Sequence, residues 1–156
     1  MNTYLALKSV HLLGVIVFIG NIIVTGWWKA MADRTGNPTI IGFAQRQVTV
    51  TDWIFTAGGV VLVAIGGIGN ALLNHMDYLH ISWMTWGLWL FVISGVIWVS
   101  ILIPVQVMQA RIARGFEHGG VIPERYWRLN RLWYFFGIIA TLIPLANLYF
   151  MVFKPN

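Results

Sequence analysis

The sequence predicts an all-α integral membrane protein, an antiparallel four-helix bundle whose single domain covers residues 1–156. The chain is 58% apolar and only 10% charged, with a mean hydropathy of +0.74, which lies outside the range of soluble domains. A bilayer core about 30 Å thick needs roughly 20 apolar residues per helix, and runs of that length occur four times. No internal repeat or long linker divides the chain.

The four apolar runs set the predicted spans as residues 4–28, 53–73, 83–107 and 132–153. In the first link, Asn37-Pro38 is a typical helix start and predicts a short amphipathic helix. In the third link, Pro123 predicts a helix that runs directly into the fourth span. The second link, residues 74–82, is short enough to predict that spans two and three are antiparallel neighbours.

The distribution of basic residues predicts the orientation. Links 29–52 and 108–131 contain eight of the ten Lys and Arg residues, and basic links resist translocation across the bilayer. We therefore expect both links on the cytoplasmic side of a bacterial inner membrane, with both termini and link 74–82 on the outer, periplasmic side. The same positive-inside pattern explains the net charge of +5, so the sequence indicates no nucleic-acid function.

Cysteine and carboxylate usage narrows the chemistry. The chain contains no cysteine, which excludes disulfides, cysteine zinc sites, iron–sulfur clusters and thiol catalysis. The six methionines are dispersed rather than clustered as in a copper relay. The four spans as defined above contain no Asp or Glu, which disfavours proton-coupled pumps and small drug exporters.

Polar residues within the spans identify the candidate site. Lys8 and His11 fall on one face of the first span, and Asn70 and Asn147 lie at similar depths below the outer surface in spans two and four. Span two also has a face of small residues that lets a helix or a flat ligand approach closely; it consists of Thr56, Gly59, Val63, Gly66 and Asn70. We expect one polar layer in the outer half, with His75, Asp77 and His80 above it.

A haem site is the functional interpretation of this layer, because neutral imidazole is a natural axial ligand for haem iron. His11 is the first predicted ligand, and His80 is preferred over His75 as the second. Lys8 would neutralise a haem propionate or, if deprotonated, bind the iron. The structural alternatives are that His11 bonds Asn147 or a backbone carbonyl, that Lys8 extends to the headgroups, and that the asparagines only join helices.

The first helix resembles a known group of small bacterial membrane proteins. The similarity covers residues 4–20 (YLALKSVHLLGVIVFIG), and Gly26-Trp27-Trp28-Lys29 follows as the helix exit. The group contains HemJ-type protoporphyrinogen oxidases, CopD-type copper-resistance proteins and a family of predicted four-helix integral membrane proteins, the last being the most similar. The resemblance implies that His11 binds b-type haem. The chain lacks the Tyr- and Arg-rich third segment of the HemJ type, so that oxidase activity is not implied.

We therefore expect a haem b-binding protein of the inner membrane with a redox or electron-transfer role, acting as an enzyme if it oxidises a membrane-soluble substrate. The alternatives are copper or small-solute handling, and a non-catalytic structural subunit. The predicted partners are the lipid bilayer and either a second copy of the chain or a membrane redox partner.

Overall fold

Four long helices make up the part of the chain that the computed structural model describes, residues 2–76 and 80–155. Helix α1 is Thr3–Arg34, α2 is Pro38–Leu73, α3 is Ser82–Ala113 and α4 is Glu124–Phe153, and each is long and apolar enough to cross a membrane. Two of them contain one π-helical turn. In α2 this turn is Asp52–Thr56, between α-helical Pro38–Thr51 and Ala57–Leu73; in α3 it is Trp98–Leu102, between Ser82–Ile97 and Ile103–Ala113.

The helix starts follow local capping chemistry. The Asn37 side chain accepts hydrogen bonds from the backbone N–H groups of Thr39 and Ile40, and Pro38 occupies the first helical position. Pro123 directly precedes α4. Both predicted helix starts are thus confirmed, although the helix from Pro38 does not stop at the second span but continues into it.

The helices extend well beyond the predicted spans. Helix α1 runs to Arg34 rather than to residue 28, and α3 runs to Ala113 rather than to residue 107. Most of links 29–52 and 108–131 is therefore helical, because hydropathy detects where a helix leaves the apolar core and not where its hydrogen bonding ends. Asp33 and Asp52, which the sequence interpretation placed in a link, lie on membrane-crossing helices.

The bundle has two unlike halves. We name residues 3–20, 57–73, 82–97 and 140–153 the histidine half, and residues 21–56 and 98–139 the lysine half. In the histidine half, α1 packs on Ala57–Leu73 of α2, and Ser82–Ile97 of α3 packs on α4. Within the described residues, no Cα atom of Ala57–Leu73 lies within 8 Å of Ser82–Ile97 or of α4. Helices α2 and α3 meet only in the lysine half, so the prediction that they are neighbours along their length is wrong.

Glycines allow the close contact between α1 and α2. A Cβ atom added at Gly66 would lie 2.5 Å from the His11 backbone nitrogen, and one added at Gly14 would lie 2.6 Å from the Val63 backbone nitrogen. The small-residue face predicted for span two is therefore confirmed, and a helix is packed against it. The two clusters of buried apolar side chains are instead centred on the lysine half; they include Val48, Leu102, Val105 and Trp133 in one, and Ile41, Ala113, Phe116 and Tyr126 in the other.

Candidate functional site

His11 lies in the interface between α1 and α2. Its ring Nδ1 is 2.9 Å from the backbone carbonyl oxygen of Val63, and a Cβ atom added at Gly67 would lie 3.1 Å from that same nitrogen. Because a carbonyl oxygen can only accept, Nδ1 must carry the proton of this hydrogen bond. In the neutral ring, Nε2 then has the free lone pair, which is the arrangement that a metal-ligating histidine uses. The ring is partly exposed.

Lys8 and Asn70 lie close to His11 on the same helix pair. With its amide oriented to satisfy both neighbours, Asn70 donates to the Tyr4 carbonyl oxygen at 3.3 Å and accepts from the Lys8 backbone N–H at 3.1 Å. The Lys8 side chain is exposed, and its ammonium lies 5.9 Å from the centroid of the Tyr4 ring. Asn70 thus fastens α2 to the first turns of α1.

Asn147 belongs to the other helix pair. Its Nδ2 donates to the carbonyl oxygen of Gly87 at 3.0 Å, while its buried Oδ1 has no hydrogen-bond partner. Because α4 does not approach Ala57–Leu73 in the histidine half, the structure does not bring Asn147 to Asn70. The expected single polar layer is therefore split between two helix pairs.

The outer-link histidines flank residues that the structure leaves undescribed. His75 is exposed with φ of 49°, His80 is exposed just before the start of α3, and Asp77 lies outside the described residues. Among residues 2–76 and 80–155, no three His, Asp or Glu side chains are grouped closely enough to hold a metal ion.

A hydrogen-bonded network that sequence reasoning missed links all four helices in the lysine half. Lys29 of α1 is only 1% exposed, and its Nζ donates to the Tyr126 hydroxyl of α4 at 2.9 Å. The Tyr126 hydroxyl donates in turn to Gln45 Oε1 of α2 at 3.2 Å. The Lys29 ammonium also lies 5.1 Å from the centroid of the Tyr126 ring and 5.7 Å from that of Trp133.

Asp33 carries the same network to α3. It lies one turn from Lys29, with Oδ1 at 3.8 Å from the ammonium, and its Oδ2 accepts from Tyr134 at 2.8 Å and from Asn130 at 2.9 Å. Asn130 Oδ1 accepts from Gln109 of α3 at 3.0 Å. We call these seven side chains the lysine network: Lys29, Asp33, Gln45, Gln109, Tyr126, Asn130 and Tyr134.

A second carboxylate, Asp52, lies where α1, α2 and α3 meet. Its Oδ1 accepts from Asn21 Nδ2 at 3.0 Å and from Thr56 Oγ at 3.0 Å, and Gln106 of α3 also hydrogen-bonds its side chain. Asn21 additionally donates to Thr56 Oγ at 2.9 Å. A residue that sequence reasoning treated as the end of a polar link is thus held inside the bundle.

Two sequence signals could have revealed these clusters. Lys29 and Asp33 have the i, i+4 spacing of a helical ion pair, and Tyr126, Asn130 and Tyr134 recur every fourth residue, which places them on one helix face. Both signals lie beyond the apolar windows. A search restricted to the predicted spans therefore could not use them.

A family model described as "Predicted integral membrane protein (DUF2269)" matches residues 5–155. The match spans nearly the whole chain, so the chain belongs to this family and is a multi-pass integral membrane protein. Neither the curated proteins nor the solved structures contain a match to it.

Proposed function

We propose that this member of the family of integral membrane proteins is a haem b-binding protein with a redox role, and that His11 is its axial ligand. The observation that carries the proposal is the hydrogen bond between His11 Nδ1 and the Val63 carbonyl oxygen. This bond fixes the ring orientation and leaves Nε2 as the ligand nitrogen, as the second shell of a haem histidine does. A bound haem supplies one-electron chemistry, for electron transfer or for oxidation of a membrane-soluble substrate.

The surroundings of His11 suit a flat, anionic group. In the histidine half, α2 and α3 are not packed together, which leaves the two helix pairs free to bind a planar macrocycle between them. Lys8 lies one turn from His11 with its ammonium exposed, where it can pair with a propionate. His80, next to the start of α3, is the proposed second ligand, and Asn70 and Asn147 hold the two pairs in place on either side.

We further propose that the bundle is antiparallel in the bacterial inner membrane, with both termini outside, and that it acts with a redox partner or as a homo-oligomer. The two basic links support this orientation. A periplasm-active reporter fused after Asn156 should be active, and a cytoplasm-active one should be silent. The opposite pattern would place His11 in the cytoplasmic half.

The haem proposal is tested by the visible spectrum of the full chain purified in detergent after haem supplementation. We expect a Soret band that His11→Ala removes and His118→Ala retains. His118 is a matched control because its side chain is 90% exposed and lies in the other half. A chain without the band, or a band that survives His11→Ala, would refute His11 as the ligand. His80→Ala should change the low-spin features of the band if His80 is the second ligand.

Small-solute handling is the second candidate, and one observation favours it. Asp33 and Asp52 place carboxylates on membrane-crossing helices, which is typical of transport pathways. Copper handling would need a ligand group. Calorimetric titration with Cu(I) and Cu(II), repeated on His75→Ala and His80→Ala, tests it, and binding weaker than micromolar in every protein would oppose it.

A further inference from the structure

The strongest unassigned feature is the surrounding of Asp52 at the junction of three helices. Asn21 from α1, Thr56 from the next turn of α2 and Gln106 from α3 all hydrogen-bond its carboxyl group. Gln106 is only 4% exposed. A carboxylate in a membrane protein is costly to bury, and this one is stabilised by three neutral side chains from three separate helices.

Both π-helical turns of the protein's described residues adjoin this carboxyl group. The turn in α2 begins at Asp52, where the Ala57 N–H bonds back to the Asp52 carbonyl oxygen, and the turn in α3 ends in the Ile103 N–H, which bonds to the Trp98 carbonyl oxygen. Such turns insert one residue into a helix and are frequent at functional sites. Here both border the same small cavity.

That cavity has a volume of about 10 Å³ and is lined by polar and apolar groups: Thr49, Asp52, Trp53, Trp98, Ile103, Gln106 and Val107. A volume near 10 to 15 Å³ is about what one water molecule requires, and a water needs polar partners to remain. Asp52, Gln106 and Thr49 offer such partners. The space is too small for an organic substrate.

The charge of Asp52 is not balanced by a basic side chain in the part of the chain that the structure describes. The groups that face it are Asn21 from α1, Thr56 from α2 and Gln106 from α3, none of which titrates. The charged side chains Lys29 and Asp33 are engaged with each other and with the lysine network. A proton is therefore the simplest neutralising ligand for this position.

We propose that Asp52, with Asn21, Thr56 and Gln106, forms a proton-binding site that exchanges a proton with one water molecule in the cavity between the two π-helical turns. In the uptake step, a hydronium ion in the cavity transfers its proton to the Asp52 carboxylate, leaving a neutral carboxyl group and a water molecule. The site needs no haem, so it stands independently of the function proposed above.

Infrared difference spectroscopy of the full chain in lipid nanodiscs, recorded across a pH titration, tests this proposal. We expect the carbonyl stretch of a protonated carboxyl group to appear as the pH falls and to shift in D₂O. Asp52→Asn should remove this band, and Asp33→Asn, the matched control in the lysine network, should retain it. A band that is absent from the wild type throughout the titration, or that persists in Asp52→Asn, would overturn the proposal.

A second variant keeps the test decisive if Asp52→Asn fails to fold. Gln106→Leu preserves the carboxyl group but removes a hydrogen bond to its charged form, so the midpoint of the band should move to higher pH. An unchanged midpoint would contradict the site. Sodium chloride and choline chloride at equal concentration should give the same midpoint, because a shift with sodium alone would identify a metal cation as the ligand and refute proton binding.

Discussion

The two halves of the bundle are held together by different interactions. In the lysine half, side chains from all four helices share one hydrogen-bonded network around Lys29 and Asp33. In the histidine half, two helix pairs are each joined by glycines and by single bonds from side chains to backbone carbonyls, such as those of His11 and Asn147. The lysine half therefore fixes the helix arrangement, whereas the histidine half leaves room for a ligand.

This difference has a consequence for stability. A buried network depends on every partner, because removing one group leaves the others without solvent or a hydrogen bond. Contacts between glycine-rich helices depend on shape and respond to added volume. The two halves should thus be sensitive to different kinds of substitution.

Lys29→Met should have the largest effect of the variants considered. It leaves the Asp33 carboxylate, whose side chain is only 11% exposed, without its ion-pair partner and removes the donor to Tyr126. Losing one partner of a buried pair typically costs about 3 to 5 kcal/mol of unfolding free energy. Unfolding in mixed micelles can be followed by fluorescence from the nine tryptophans.

Lys154→Met is the control, since Lys154 is exposed and its ammonium lies 5.1 Å from the centroid of the Trp83 ring. The double variant Lys29→Met with Asp33→Asn should recover part of the lost stability, because the unpaired charge is gone. If Lys29→Met were no less stable than Lys154→Met, the lysine network would not hold the four helices together.

The sequence predicted the helices better than their ends. Apolar runs of about 20 residues located all four helices, and Asn37-Pro38 and Pro123 located two of the starts. The ends could not be predicted from hydropathy because α1 and α3 keep their backbone hydrogen bonding after their side chains become polar. Residues such as Lys29 and Asp33 were consequently assigned to a link.

The candidate site was predicted in part. Helical periodicity correctly placed Gly59, Gly66 and Val63 on one face, which contacts the helix that carries His11. Periodicity does not reveal which helices pair, so Asn147 was grouped with Asn70 although they lie in different helix pairs. Asp52 was missed because only its partners from α1 and α3, Asn21 and Gln106, show that it faces the bundle interior.

Gly66→Ala should destabilise the histidine half by an intermediate amount. The new Cβ atom would lie 2.5 Å from the His11 backbone nitrogen and 2.6 Å from the Leu7 carbonyl oxygen, and backbone atoms move aside only if the helices separate. Overpacking of this kind costs about 1 to 3 kcal/mol.

Gly58→Ala, in the same helix, is the matched control because a Cβ atom there meets nothing within 4 Å. Alanine's higher helix propensity should make that variant as stable as the wild type or slightly more stable. Equal unfolding free energies for the two variants would mean that α1 and α2 are not in the close contact described here.

Asn147→Ala should have the smallest effect. Its single hydrogen bond, to the Gly87 carbonyl oxygen, is of a kind that contributes about 0.6 kcal/mol in a membrane protein, and the variant also removes a buried Oδ1 that has no partner. Asn130→Ala on the same helix is the comparison, because Asn130 bonds both Asp33 and Gln109 in the lysine half. Its loss leaves a buried carboxylate and a buried amide short of partners and should cost about 1 to 3 kcal/mol. Unfolding free energies of the two variants, measured in the same micelles, therefore compare the halves with one residue type on one helix. Asn147→Ala proving as costly as Asn130→Ala would mean that the helix pairs of the histidine half are held as firmly as the lysine network.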